Sequence, residues 1–239
     1  MEPTSADLPI LVFLPGMDGT GDLFDPILQA LDRRFDSVIV RYPIEEPLDY
    51  AELLSIARAA LPIDRRFVLV AESFSGPLGI TIAAEAARGL DGLILCGSFA
   101  RNPRPALAGL ARCLPVVPIN AATLRLAIPA MLGCRAEPSL NALVTRTVAR
   151  VPAPVLQARL RAVLRVDVGR ELAAVHVPIL YLQAARDRIV PVRASKLILR
   201  IKPEAEVVPI DGPHFLLQAN PEAAAAEIVR FAISTSKGS

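Results

Sequence analysis

Ser73 is the residue best placed to do chemistry. It lies in Ala71-Glu72-Ser73-Phe74-Ser75, just beyond the apolar, β-branched run Phe67–Val70, and Gly76-Pro77 then opens an alanine-rich helical stretch. A strand, a tight turn with serine at its apex and a helix make the setting of a nucleophile elbow. Such a turn needs small residues two before and two after the serine. Ala71 and Ser75 meet that steric need where glycine is usual. The alternative is an ordinary loop serine, or one that caps the helix that follows. A serine hydroxyl is a weak nucleophile at neutral pH and needs a base, and the base needs a group that fixes its tautomer. The chain has two histidines. His176, in Val175-His176-Val177-Pro178, enters a strand pattern at its N-terminal end and reads as a surface or strand-edge residue. His214, in Ile210-Asp211-Gly212-Pro213-His214-Phe215, directly follows the last strand pattern, at the carboxyl edge where open α/β sheets place their sites. For the acid, Asp187 lies in Ala184-Ala185-Arg186-Asp187-Arg188-Ile189-Val190-Pro191, after the preceding strand, with flanking arginines that favour its ionised form. Asp167 is the second candidate. Asp211 is too near His214 along its loop.

These side chains must be delivered by alternating strands and helices. Strand patterns occur at Leu8–Leu14, Ser37–Arg41, Phe67–Val70, Leu93–Cys96, Pro178–Leu182 and Glu206–Ile210. Helical patterns occur at Phe24–Leu31, with Asp22 as its cap, and at Leu48–Leu61, Gly76–Arg88, Val192–Ile201 and Pro221–Ile233. That alternation predicts an α/β protein with a parallel sheet covered on both faces. It stops between residues 101 and 170. There Leu107, Leu110, Ala111 and Leu114 recur at helical spacing, as do Leu124, Ile128, Met131 and Leu132, then Leu140, Val144 and Val148, then Leu156, Leu160, Val163 and Leu164. Prolines punctuate them. The expected organisation is a core of residues 1–100 and 171–239 with a helical insertion, 101–170.

Composition narrows the classes. At 239 residues the chain is long enough for one domain with a large core. Mean hydropathy is +0.44, yet no apolar run reaches the roughly 18 residues of a membrane span. Met1–Asp7 has no Lys or Arg, unlike a signal peptide's start, so a cytoplasmic protein is expected. Three cysteines argue against a disulfide framework: Cys96 reads as a buried small hydrophobe, and pairing of Cys113 with Cys134 is not favoured. No Cys/His spacing suits a metal, and none is expected. The glycine loop Pro15–Gly21 lacks the Gly-Lys-Ser/Thr of a P-loop, and Gly16 stands where a phosphatase Asp-x-Asp-Gly-Thr signature has its nucleophile. With 5% aromatics and no recognition motif, nucleic acid is not an expected partner. Net charge is +2, but residues 101–170 hold eleven arginines, no lysine and two acids, a local charge of +9. Solvated helix faces, with arginine stems covering apolar surface, account for this. The other reading is a surface for an anionic partner, such as a CoA or carrier-protein thioester or an anionic lipid surface.

These segments together resemble the α/β-hydrolase family over nearly the whole chain. The resemblance implies about six mostly parallel strands with a helical cap inserted after the strand that follows the elbow. The family's first antiparallel hairpin has no counterpart, since seven residues precede the first strand pattern. The family order of serine, acid and histidine implies Ser73 as nucleophile, Asp187 as acid and His214 as base. Pro15-Gly16-Met17 resembles the family's His-Gly-x element, with proline for histidine. It implies that the backbone N–H groups of Met17 and Phe74 stabilise an oxyanion. Leu14–Gly21 looks like a subset that acts on lipophilic acyl esters, including acyltransferase-like members. The expected function is serine-dependent hydrolysis of a small-molecule carboxylic ester with a small-to-medium apolar acyl group, without cofactor. Acyl transfer or thioester cleavage would use the same triad. A non-catalytic ligand-binding protein is the rival of another class, and it would not need a base at position 214.

Overall fold

The computed structural model describes residues 8–106, 109, 123, 128, 129, 132 and 137–236. Six strands form one sheet in the order β2-β1-β3-β4-β5-β6, with every pairing parallel. They are β1 (Ile10–Leu14), β2 (Ser37–Ile39), β3 (Phe67–Glu72), β4 (Leu90–Cys96), β5 (Ile179–Ala184) and β6 (Glu206–Ile210). The central strands are mostly apolar because both faces are covered, with Asp91 and Glu72 as the charged exceptions in β4 and β3. Val12, Leu69 and Leu93 point to one face, where α2 (Tyr50–Ala59), α3 (Gly76–Ala84), α6 (Gly169–Ala174) and α7 (Arg193–Ile201) bury Leu53, Ile80, Leu172 and Ile198. Phe13, Val70 and Ile94 point to the other, against Ile27 of α1 (Asp25–Ala30), Leu217 of α8 (Leu216–Ala219) and Ile228 of α9 (Pro221–Ser236). Pro209 is tolerated in β6 because that strand is an edge and pairs only with β5.

Several boundaries differ from the sequence expectation. β3 continues two residues past Val70, so it ends on a buried charged side chain, Glu72, which apolar patterning does not register. β4 begins at Leu90, and α3 stops at Ala84, before Ala86 takes a left-handed conformation at φ 51°. Asp22 does not cap a helix. It opens a 3-10 turn, Asp22–Phe24, and its carboxylate binds Arg41 and Arg150 at 2.7 and 2.6 Å. Asp49, instead, caps α2 in a reciprocal box with Glu52.

Between β4 and β5 lie α4 (Pro138–Ala149), α5 (Ala153–Arg165) and α6. The helical spacings at Leu140 and Leu156 fall in α4 and α5. Those at Leu107, Leu110, Ala111, Leu114, Leu124 and Met131, like Cys113 and Cys134, fall outside the described residues. Leu140 and Val144 of α4 pack with Ile128 and Leu132 against Leu23, in the turn that follows β1. α6 behaves differently and belongs to the cover of the sheet.

Candidate active site

Parallel pairing sends the loops after all the strands to one edge. Leu14 pairs with Ala71 and Glu72 with Cys96, so the loops at Pro15, Ser73 and Gly97 emerge side by side. The chain runs from β1 outward to β2, then returns to β3 on the opposite side of β1. The crevice between β1 and β3 is thus the switch point at which ligands enter such sheets.

Ser73 sits at this crevice with φ 47°, a left-handed conformation that costs a non-glycine residue about 1–3 kcal/mol. Its surroundings hold it there. Ser98 Oγ donates to the Ser73 carbonyl at 2.6 Å, and Tyr50 donates to the Phe74 carbonyl at 2.9 Å while its ring stacks on Phe74. Ser75 donates to the Pro15 carbonyl and lies 2.9 Å from the Tyr42 hydroxyl, which ties the turn to the loop after β1. Ser75 therefore uses its hydroxyl where a glycine would have none.

Ser73, His214 and Asp187 form one hydrogen-bonded chain. Ser73 Oγ is 2.7 Å from His214 Nε2, and His214 Nδ1 is 2.8 Å from Asp187 Oδ2. A carboxylate at Nδ1 favours the tautomer with its proton on that nitrogen, leaving the Nε2 lone pair toward the serine. The side chains of His214 and Asp187 are only 5% and 7% exposed. The N–H groups of Ile189 and Val190 donate to Asp187 Oδ1, each at 2.8 Å, and set the carboxylate's angle. To reach Ser73, the His214 loop crosses the end of β4 at Gly97. There a Cβ would stand 3.4 Å from His214 Nδ1 and the backbone φ is +52°, so glycine suits the crossing. Arg186, beside Asp187 in the chain, pairs with Asp211. Asp167 pairs with Arg101 at 2.8 Å, and His176 is exposed before β5. Met17 lies in the loop beside the elbow, and Phe74 directly follows the serine, buried. Among the described residues no cluster of three or more His, Cys, Asp or Glu could hold a metal, and no helix is long and apolar enough to cross a membrane.

A family model described as the alpha/beta hydrolase family matches residues 11–227. The chain belongs to that family. An enol-lactonase from Burkholderia xenovorans LB400 superposes on this hydrolase with a TM-score of 0.79 at 18% identity, covering 95% of this chain and 92% of its own. A structure from a study of carboxylesterases of Nitrososphaera gargenis gives 0.82 at 15% identity, over 98% and 93%. At these identities the likeness speaks for the fold. Phytyl ester synthase 1, chloroplastic, of Arabidopsis thaliana is 31% identical over 119 residues, 46% of this chain and 17% of that protein. The chain thus spans only a small part of that relative's length.

Two residues of the hydrolase's site were not anticipated. Glu72, directly before Ser73, is 5% exposed. Burial pushes its carboxyl up to about 7, assisted by Asp18 and opposed by a hydrogen bond from Gln218 and by His214 and the Gly16 backbone. Its Oε2 has no hydrogen-bond partner among the described residues. A lone charge closing an apolar strand was the signal for it. Arg159 of α5 is fully buried, which corrects the reading of the insertion's arginines as solvated in its case. Its helical spacing from buried Val155, Leu156 and Val163 puts it on the apolar face, a signal that the charge count hid.

Proposed function

We propose that this hydrolase cleaves small-molecule carboxylic esters with apolar acyl groups through an acyl-enzyme on Ser73. The observation that carries the reading is the unbroken chain from Ser73 Oγ through His214 to Asp187. As Ser73 Oγ bonds to the acyl carbon, His214 Nε2 takes its proton and Asp187 stabilises the imidazolium. The carbonyl π electrons move onto oxygen, where the Met17 and Phe74 amides donate to the oxyanion. Collapse breaks the ester C–O bond, and His214 gives its proton to the leaving alkoxide. A water, deprotonated by His214, then attacks the acyl carbon; collapse breaks the Ser73 Oγ–acyl bond, His214 gives its proton to Oγ, and the carboxylic acid leaves.

The insertion at 101–170 serves as a cap that shapes the substrate pocket. Two apolar clusters include residues of the site's loops: Met17 packs with Val151, Val155 and Leu156, and Phe215, next to His214, packs with Leu23 and Val144. Such walls suit an apolar acyl or alcohol group. Turnover of p-nitrophenyl esters across acyl lengths, wild type beside Ser73→Ala, tests the reading. Loss of about 10⁴-fold or more in the variant is expected from removing a triad nucleophile. Turnover that survives it defeats the proposal. A second reading, acyl transfer to a lipophilic alcohol, is favoured by the segment similar to phytyl ester synthase 1. An ester product formed when a long-chain alcohol is added would select it.

A further inference from the structure

The loop after β1 is held by a cation from the insertion. Gly19 N–H donates to the Gly16 carbonyl at 3.1 Å and closes a tight turn. Arg159 Nη1 donates to the carbonyls of Met17 and Asp18 at 2.8 and 2.7 Å, and Nη2 to that of Pro43 at 2.8 Å. The guanidinium also lies 5.9 Å from the centroid of the Tyr42 ring. No ion pair of Arg159 occurs among the described residues; its Nη1 and Nη2 donate to backbone carbonyls, and its Nε has no partner there. The fit is close: a Cβ on Gly19, where φ is +72°, would stand 2.5 Å from Nη1.

Peptide planarity turns these contacts into an orientation. In a trans peptide the N–H points opposite to the C=O of the same plane. The Gly16 carbonyl and the Met17 N–H share one plane. The Asp18 carbonyl, held by Arg159, shares its plane with the Gly19 N–H; that N–H holds the Gly16 carbonyl, and the Gly16 carbonyl sets the direction of the Met17 N–H. A buried arginine is costly unless its donors are used, so its place under this turn calls for a reason. We propose that Arg159 is a positioning residue for the oxyanion hole. It locks the Gly16–Gly19 turn so that the Met17 amide stays aimed at the acyl oxygen on Ser73, and it thereby couples α5 of the insertion to the chemical step. The inference rests on the serine-hydrolase reading above.

The test uses the full chain, with Arg159→Ala, Arg159→Lys and Ser73→Ala. Two readouts are normalised to folded protein by circular dichroism: kcat and KM on a p-nitrophenyl ester, and the rate at which a fluorophosphonate labels Ser73 across pH, followed by mass spectrometry. Loss of one oxyanion donor costs about 10²–10³-fold in kcat. A donor left in place but loosened should cost less, about 10–100-fold for Arg159→Ala, with KM little moved. The lysine variant, which keeps the charge and fewer donors, should fall between. The labelling plateau should drop while its pH midpoint stays, since His214 and Asp187 are untouched. Millimolar guanidinium should restore part of the alanine variant's rate. Wild-type rates per folded molecule in either variant overturn the inference. If the alanine variant does not fold, the lysine variant decides alone. If Ser73→Ala keeps its turnover, or the phosphonate labels elsewhere in wild type, the failure belongs to the hydrolase reading, and the inference falls with it.

Discussion

Two sides of the same serine are built on different rules. On the β5–β6 side, Asp187 and His214 come from loops that directly follow strands, and the charge at Asp187 is met by two amides and an imidazole at 2.8 Å. On the β1 side, the loop Pro15–Gly19 is surrounded by buried charge with incomplete partners. Glu72 has one unpartnered oxygen, and Arg159 has an unpartnered Nε among the described residues. The first arrangement is short in sequence and nearly self-sufficient. The second depends on a helix more than a hundred residues away. In the proposed mechanism this difference separates the group that moves the proton from the backbone that receives the charge, and it predicts different kinds of failure.

The largest break is expected on the β5–β6 side. Asp187→Asn preserves shape but removes the carboxylate that fixes the Nδ1–H tautomer, and an analogous change elsewhere costs about 10⁴-fold in kcat. Ester turnover should fall by roughly 10³–10⁴-fold, with little change in melting temperature. A large loss of stability and a small loss of rate would invert the comparison: the β5–β6 side would then be the structural one.

On the β1 side Glu72 predicts a stability effect set by pH. Its carboxyl is raised from 4.5 in ordinary surroundings to about 7 in the fold. Between those values the native state binds more proton than the unfolded chain, so stability falls as pH rises. The contribution is fully present below about 4.5 and lost above about 7. A shift of this size corresponds to roughly 3 kcal/mol. Glu72→Gln should flatten that slope in urea unfolding between pH 4 and 8 and be the more stable protein at pH 8. Parallel pH curves for the two proteins would mean that Glu72 is relieved of its charge by something other than protonation.

The same division explains what could be read from the chain. Alternating strands and helices, the elbow and the Gly-Pro-His loop are local patterns, and the six-stranded parallel sheet follows from them. The juxtaposition of Ser73, His214 and Asp187 was legible because each follows its own strand at one edge. Glu72 is not legible because apolar patterning ends the strand at Val70. Arg159 is hidden because a local net charge counts eleven arginines as one total. Its place on the apolar face of α5 depends on phase, which a net charge discards. Proximity in sequence pairs Asp22 with the helix that follows it, whereas its partners Arg41 and Arg150 come from elsewhere in the fold.

Arg150 gives the smallest expected effect and the sharpest contrast with Arg159. Both arginines lie between β4 and β5, and both reach the segment after β1. Arg150 binds the Asp22 carboxylate at 2.6 Å, but its side chain is 58% exposed and Asp22 keeps Arg41 as a second partner. Water competes for such a pair, and exposed ion pairs contribute about 0–1 kcal/mol. Arg150→Ala should therefore shift urea unfolding by less than about 1 kcal/mol, and salt should shrink the difference further. Turnover should stay at the wild-type level. A kinetic loss in Arg150→Ala matching that of Arg159→Ala would show that docking of the insertion as a whole, and not the guanidinium under the Gly16–Gly19 turn, sets the geometry of the oxyanion loop.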